Sequence, residues 1–267
     1  MRELVMLGTG NAMVTKYYNT CFAINENEKI FLVDAGGGNT ILNHMEKAGL
    51  SFAELHHMFV THGHTDHVLG VIWVIRKIAA LMGKNKYEGD FWIYGHDEVL
   101  HIIKTIAELT LKKKDAEQLG KRIFFRTVND GENLEILDMH VTFFDILSTK
   151  KKQFGFSAVF SDGYKLSCLG DEPYNEHCRD TVFDSDLLMS EAFCLYADRD
   201  LFNPYEKNHS TVKEACSAAG ELQAGAVLLY HTEDKTFPQR KEKYMSEAEK
   251  FFKDIIYIPD DLEKIVF

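Results

Sequence analysis

Three histidines and an aspartate stand within six residues at Thr61-His62-Gly63-His64-Thr65-Asp66-His67. The segment follows the apolar run His57 to Val60 and precedes a helix-like apolar stretch from Val68 to Leu81. In a turn from strand end to helix start, His62 and His64 can point to one side. Asp66 and His67, in the first helical turn, then face a neighbouring locus. Imidazole and carboxylate suit zinc, manganese or iron, and two adjacent loci imply a pair of ions. The competing reading is a histidine-rich surface loop, or a helix start with Asp66 set against the positive end of the dipole. Chance rarely packs three histidines and an aspartate behind an apolar strand, so the metal reading leads.

The remaining chain supplies a scaffold of short strands and helices. Strand-type runs at Leu4 to Leu7, Thr20 to Ile24, Ile30 to Val33 and His57 to Val60 each end in turn chemistry. Helical patterns cover Thr40 to Ala48, Val68 to Leu81 and His96 to Lys113. A second strand-rich stretch contains Val141 to Ile146, Phe156 to Ser161 and Tyr164 to Leu169, with Asp162-Gly163 as a hairpin signal. The final third alternates strand Leu187 to Ser190, helix Thr211 to Ala219, strand Ala226 to Tyr230, helix Lys241 to Phe252 and strand Ile255 to Ile258. No linker or repeat interrupts this order, so residues 1–267 read as a single domain. Two mixed β-sheets with helices on their outer faces would satisfy it.

Composition narrows the partners. With 30 Lys+Arg against 41 Asp+Glu the net charge is −11, which argues against long nucleic acid and allows a small anionic substrate held by metal. Five scattered cysteines with no Cys-x-x-Cys read as reduced thiols, and no signal-peptide pattern opens the chain. The longest apolar stretch, Val68 to Met82, is broken by Arg76 and Lys77 and is too short for a bilayer. The expectation is a soluble, cytoplasmic protein without membrane contact.

The histidine motif resembles that of the metallo-β-lactamase fold, and the resemblance covers nearly the whole chain. Val5 to Ala12 resembles the family's first strand and turn, and Phe31 to Gly36 its strand ending in an aspartate (Asp34) that braces the histidine loop. Leu169-Gly170-Asp171 resembles the strand end whose aspartate bridges two metals, and Leu228 to His231 the last strand with its metal histidine. Glu191 with Asn208-His209-Ser210-Thr211 resembles the ribonuclease Z branch, whose members are phosphodiesterases. The resemblance implies a four-layer αββα sandwich and a metal-dependent hydrolase. It implies His62 and His64 on one metal, Asp66, His67 and His231 on the other, and Asp171 between them. A hydroxide on those metals would be the nucleophile, with their charge polarising the phosphoryl oxygen. His209 would protonate the leaving alcohol, oriented by Glu191, so that Asp66, His209 and Glu191 form the catalytic set. The plainer readings are a helix cap at Ser210 or Thr211 beside His209 and a surface acid at Glu191.

One expected metal histidine is absent. The corresponding position falls at Leu147, or at Thr149 if aligned without a gap. Strand alternation turns His140 to the opposite face, whereas Asp145 and Thr149 share the face of Leu147 and offer oxygen. Nothing in the sequence places His57, His96, His101 or His177. The expectation is an asymmetric site, one metal firm and the other weak. A long basic arm, which tRNA-processing relatives carry before the bridging aspartate, is also absent. Lys150 to Lys152 reads as a solvated turn or a phosphate contact, and Lys112 to Lys114 as a helix end. Gly36 to Gly38 gives room for the histidine loop, Trp73 and Trp92 read as core, and Cys168 as buried. The reading is therefore hydrolysis of a small phosphodiester. The rivals are a degenerate member that binds without turnover, and a lactone, sulfate or thioester hydrolase. A homodimer is expected by analogy.

Overall fold

The computed structural model describes residues 2–267. They divide into two compact units: residues 2–8, 18–128 and 260–267 form the first, and residues 9–17 and 129–259 the second.

The first unit is one seven-stranded mixed sheet. Its strands are β1 (Arg2–Gly8), β2 (Cys21–Glu26), β3 (Lys29–Val33), β4 (Leu55–Phe59), β5 (Phe91–Gly95), β6 (Ile123–Thr127) and β14 (Lys264–Val266). They lie in the order β14-β1-β2-β3-β4-β5-β6. The pairs from β14 to β3 are antiparallel, and those from β3 to β6 are parallel. Parallel neighbours need crossovers, and three helices provide them: α1 (Thr40–Lys47), α2 (Thr65–Met82) and α3 (Asp97–Thr110), with the single turn α4 (Lys113–Ala116) behind α3. Val71, Ile75 and Ile78 of α2 pack with Leu32, Met58 and Ile93 in one apolar core. Helix α2 stops at Gly83, and Asp66 in its first turn suits the dipole.

The second unit carries the other seven strands: β7 (Asn133–Ile136), β8 (Met139–Asp145), β9 (Phe154–Phe160), β10 (Lys165–Cys168), β11 (Leu187–Glu191), β12 (Ala226–Tyr230) and β13 (Ile255–Tyr257). They lie in the order β13-β12-β11-β10-β9-β8-β7. The first four strands in sequence are antiparallel, and β10 to β13 are parallel. The helices are α5 (Arg179–Val182), α6 (Arg199–Phe202), α7 (Val212–Glu221) and α8 (Arg240–Ala248). Val212, Cys216 and Ala219 of α7 and Tyr244 of α8 pack on Leu188, Val227 and Leu229. The Asp162-Gly163 hairpin forms between β9 and β10, with Gly163 at φ +89° and its N–H donated to Phe160.

Three expectations change. The helix from His96 ends at Thr110, so Lys112 and Lys113 open the short α4 instead of closing α3. Leu111 adopts an extended backbone there, which stops the helix. Trp73 and Trp92 are only half-buried: Trp73 packs at the margin of the first core with Arg76 over its ring, and Trp92 stacks on Phe124. The third change concerns Leu147. Strand β8 ends at Asp145, and Leu147 takes φ +54°, so strand alternation does not carry through to Thr149. Asp145 accepts the Leu147 N–H at 2.8 Å, and Leu147 itself is 51% exposed.

Candidate metal centre

The histidine motif sits where strand β4 gives way to helix α2, as its pattern predicts. His64 is the N-cap, with extended backbone, and Asp66 and His67 lie in the first turn. The ring of His62 lies 4.5 Å from that of His64 and 4.2 Å from that of His67, with His62 Nε2 and His64 Nδ1 2.9 Å apart. His62, Asp66 and His67 are buried. The loop is held by Asp34, itself buried at the end of β3 with φ +55°. Its Oδ1 accepts the Thr61 N–H at 2.9 Å, and its Oδ2 accepts the Thr61 hydroxyl at 2.8 Å and His67 Nδ1 at 2.7 Å. With Nδ1 committed to a carboxylate, His67 leaves Nε2 as the atom that could hold a metal, the usual orientation of metal histidines. Thr61 Oγ1 stands 2.9 Å from His62 Nδ1 and orients that ring likewise.

Close packing makes this possible. A Cβ on Gly70, in the second turn of α2, would lie 1.8 Å from the Ala35 carbonyl oxygen. The helix therefore approaches the 34–36 turn closely enough for the Gly70 N–H to reach the Gly36 carbonyl at 2.8 Å. In the glycine run, a Cβ on Gly36 would lie 2.5 Å from the Tyr18 ring and one on Gly37 2.7 Å from Asn19 Oδ1, whereas one on Gly38 meets nothing within 4 Å.

The second unit gathers its own donors at three adjacent strand ends. Asp171 follows β10, Glu191 ends β11 and His231 follows β12. His231 Nε2 is 3.5 Å from Asp171 Oδ2, and His231 Nδ1 is 3.6 Å from Glu191 Oε2. Glu191, His209 and His231 present ligand-type atoms within 4.8 Å of one another. Glu191 is fully buried, which removes the surface-acid reading. Its Oε2 meets His209 Nδ1 at 2.9 Å, and its Oε1 accepts the Ser210 N–H. His209 Nδ1 also lies 3.0 Å from the Asp171 carbonyl oxygen, and its ring stacks on Phe193 at 4.6 Å. The capping reading holds beside this one: Thr211 caps α7, its N–H donating to Glu214 at 3.0 Å.

Several residues that the sequence did not single out shape this half. The Gln153 side-chain amide donates to Asp171 Oδ1. Tyr230 donates its hydroxyl to the Gly170 carbonyl, and burial pushes that phenol well up, so it stays a donor. Gly170 takes φ +84°, and a Cβ there would come within 2.7 Å of Gln153 Nε2. Buried Glu172 accepts from Ser148 Oγ at 2.6 Å and Asn208 Nδ2 at 2.6 Å, with Lys150 Nζ 3.6 Å away. Burial raises the Glu172 carboxyl above its ordinary value, against the pull of Ser148 and Lys150. Lys150 is thus tied to a carboxylate, and Lys152 lies over the Phe154 ring. Ser148, Gln153 and Glu172 carry no periodic or motif signal, since each of their contacts depends on loops meeting.

The remaining histidines lie apart. His57 stacks with Tyr94, His96 caps α3, His140 pairs with Glu135 and His177 with Asp130. His101 is exposed, and Cys168 is buried with its sulfur 3.4 Å from the Tyr230 hydroxyl. Among the described residues, no helix is long and apolar enough to cross a membrane.

Comparison with known proteins bears on the fold. The ribonuclease Z of Thermococcus sibiricus is 24% identical over 99% of this chain and 96% of its own length. The metallo-β-lactamase fold protein YhfI from Bacillus subtilis superposes with a TM-score of 0.81 at 19% identity, over 99% of this chain and 98% of its own. Human tRNase Z, short form, superposes with a TM-score of 0.77 at 20% identity, over 99% and 98%. These likenesses show the metallo-β-lactamase fold that the histidine motif implied. The family model described as anti-Pycsar protein Apyc1 matches residues 2–252, and the chain belongs to that family.

Proposed function

We propose that this chain is a metal-dependent hydrolase of a small phosphodiester with a two-ion centre, its residues read as a single domain. The observation that carries the reading is the setting of His209. Buried Glu191 and the Phe193 ring fix the imidazole with Nδ1 turned inward, so Nε2 is the ring atom left to meet substrate. A histidine held that way beside metal-type donors suits protonation of a leaving alcohol.

In this reading His62 and His64 hold one ion, Asp66, His67 and His231 the other, and Asp171 both. Zinc suits these nitrogen and carboxylate donors, with manganese and iron as alternatives. Divalent ions there supply Lewis acidity, making water more acidic and drawing charge from a phosphoryl oxygen. The protein's own part is orientation: Asp34 fixes His67, Thr61 fixes His62, and Gln153 and Tyr230 hold the turn that carries Asp171. The His62 and His64 locus lacks a third histidine, because the expected position holds Leu147. Its ion is therefore the weaker of the two. The substrate is a small anion, and a homodimer is the expected assembly.

RNA processing is the second reading, favoured by the name ribonuclease Z among the relatives. The −11 charge opposes it, because RNA affinity rests on positive charge.

The test is hydrolysis of bis(p-nitrophenyl) phosphate and of a structured RNA, each with zinc, manganese or chelator. Metal-dependent turnover of the small diester, abolished in Asp171→Ala, supports the proposal. Turnover of RNA alone overturns the substrate class. No turnover in wild type, restored in Leu147→His, identifies a degenerate member. Activity only on a lactone, sulfate ester or thioester assigns one of those reactions.

A further inference from the structure

Glu172 is a buried acid outside the proposed ligand set and outside the His209–Glu191 pair, yet it touches two separate loops. One carboxylate oxygen accepts the Ser148 hydroxyl at 2.6 Å and faces Lys150 Nζ at 3.6 Å. The other accepts Asn208 Nδ2 at 2.6 Å. Ser148 Oγ in turn accepts the backbone N–H groups of Lys150 and Lys151, both at 3.2 Å. Asn208 also reaches Thr149 Oγ1 at 3.4 Å, and holds φ +52° immediately before His209.

Two adjacent residues therefore hold two adjacent residues. Asp171 meets His209 through its carbonyl oxygen at 3.0 Å, and Glu172 meets Asn208 through its side chain. The same carboxylate pins the 148–151 loop, where the sequence lacks the expected metal histidine. A buried carboxylate is costly unless its partners are fixed and charge-assisted, and this one is surrounded by donors from both loops.

We propose that Glu172 is a positioning residue: it clasps the 148–151 loop to Asn208 and so sets the ring of His209 for proton donation to the leaving group. The inference rests on the phosphodiesterase reading for its catalytic consequence, and on the hydrogen bonds alone for the clasp. In Glu172→Gln the shape is kept, but one acceptor becomes a donor facing Ser148 or Asn208. Glu172→Asp keeps the charge and shortens the reach.

Amide hydrogen exchange and leaving-group dependence test the two parts on the full chain. In Glu172→Gln, exchange is expected to rise about tenfold or more in segments 147–152 and 204–210, with the core strands unchanged. The kcat for an alkyl phosphodiester, which needs protonation, should fall about tenfold more than that for bis(p-nitrophenyl) phosphate, whose leaving group needs little help, while KM moves little. Glu172→Asp should recover part of the loss. Unchanged exchange in both segments overturns the clasp. An equal loss on both diesters, with exchange raised, overturns the positioning role. A wild type inactive on both diesters overturns the phosphodiesterase reading and with it the positioning role, while exchange still decides the clasp.

Discussion

Asp34 Oδ2 lies 2.7 Å from Nδ1 of His67, and the same carboxylate also holds the Thr61 N–H and hydroxyl. One side chain thus fixes both the entry to the histidine loop and the outward nitrogen of its last imidazole. Asp34→Asn keeps the size and tolerates the positive φ, but it removes the negative acceptor. Metal affinity should fall about 10- to 100-fold, as read by calorimetric titration of the metal-free protein. Unchanged affinity would mean that Asp34 supports only the fold.

His209 and Glu191 should act as a pair. His209→Gln is expected to lower kcat on an alkyl phosphodiester about 100-fold or more, with a smaller loss on bis(p-nitrophenyl) phosphate. Glu191→Gln should show the same ranking of substrates. The double variant should be little worse than either single one, since both remove the same proton donor. Additive losses would separate the two residues.

Gly70 tests the close approach of α2. A methyl group there meets the Ala35 carbonyl, so Gly70→Ala should destabilise by about 1–3 kcal/mol. At about 2–4 °C per kcal/mol for a chain of this size, the melting temperature should drop by several degrees. Gly38→Ala is the matched control, because nothing lies within 4 Å of its added carbon.

His57 predicts a pH effect remote from the proposed metal centre. Burial, with the neighbouring His56 as the smaller cause, pushes its imidazole down to about 4 from 6.5, and Tyr94 shares its Nδ1 at 3.0 Å. Between those values the unfolded chain binds a proton that the folded chain does not, so stability rises with pH through that window. The contribution is complete above about pH 6.5 and lost as pH falls toward 4. Denaturant midpoints measured from pH 7 to pH 4 should fall less in His57→Gln than in wild type. The difference is expected to be about 1–2 kcal/mol, allowing for the partial exposure of the ring. Parallel pH curves would show that His57 has no such effect.

The sequence alone determined the features set by period and composition. Alternation and turn residues located β1, β3, β4, β11 and β12, and the 3.6-residue pattern located α2 and α7, because local burial patterns repeat along the chain. The motif from His62 to His67 is contiguous, so its donors are neighbours by covalent geometry, and Asp34 was legible as its brace. Asp171, Glu191 and His231 were legible only as residues at strand ends. Tertiary structure decided what depends on non-local contact. It buried Glu191 and stacked His209 on Phe193, turning a weak pair into an oriented one. It ended β8 at Asp145 and turned Leu147 into solvent, against simple strand alternation. It also put Gln153 on Asp171 and Glu172 between two loops, contacts that bridge residues 18 and 36 positions apart. Such partners leave no periodic trace, because loop side chains are selected by what the fold brings opposite them and not by their own sequence neighbours.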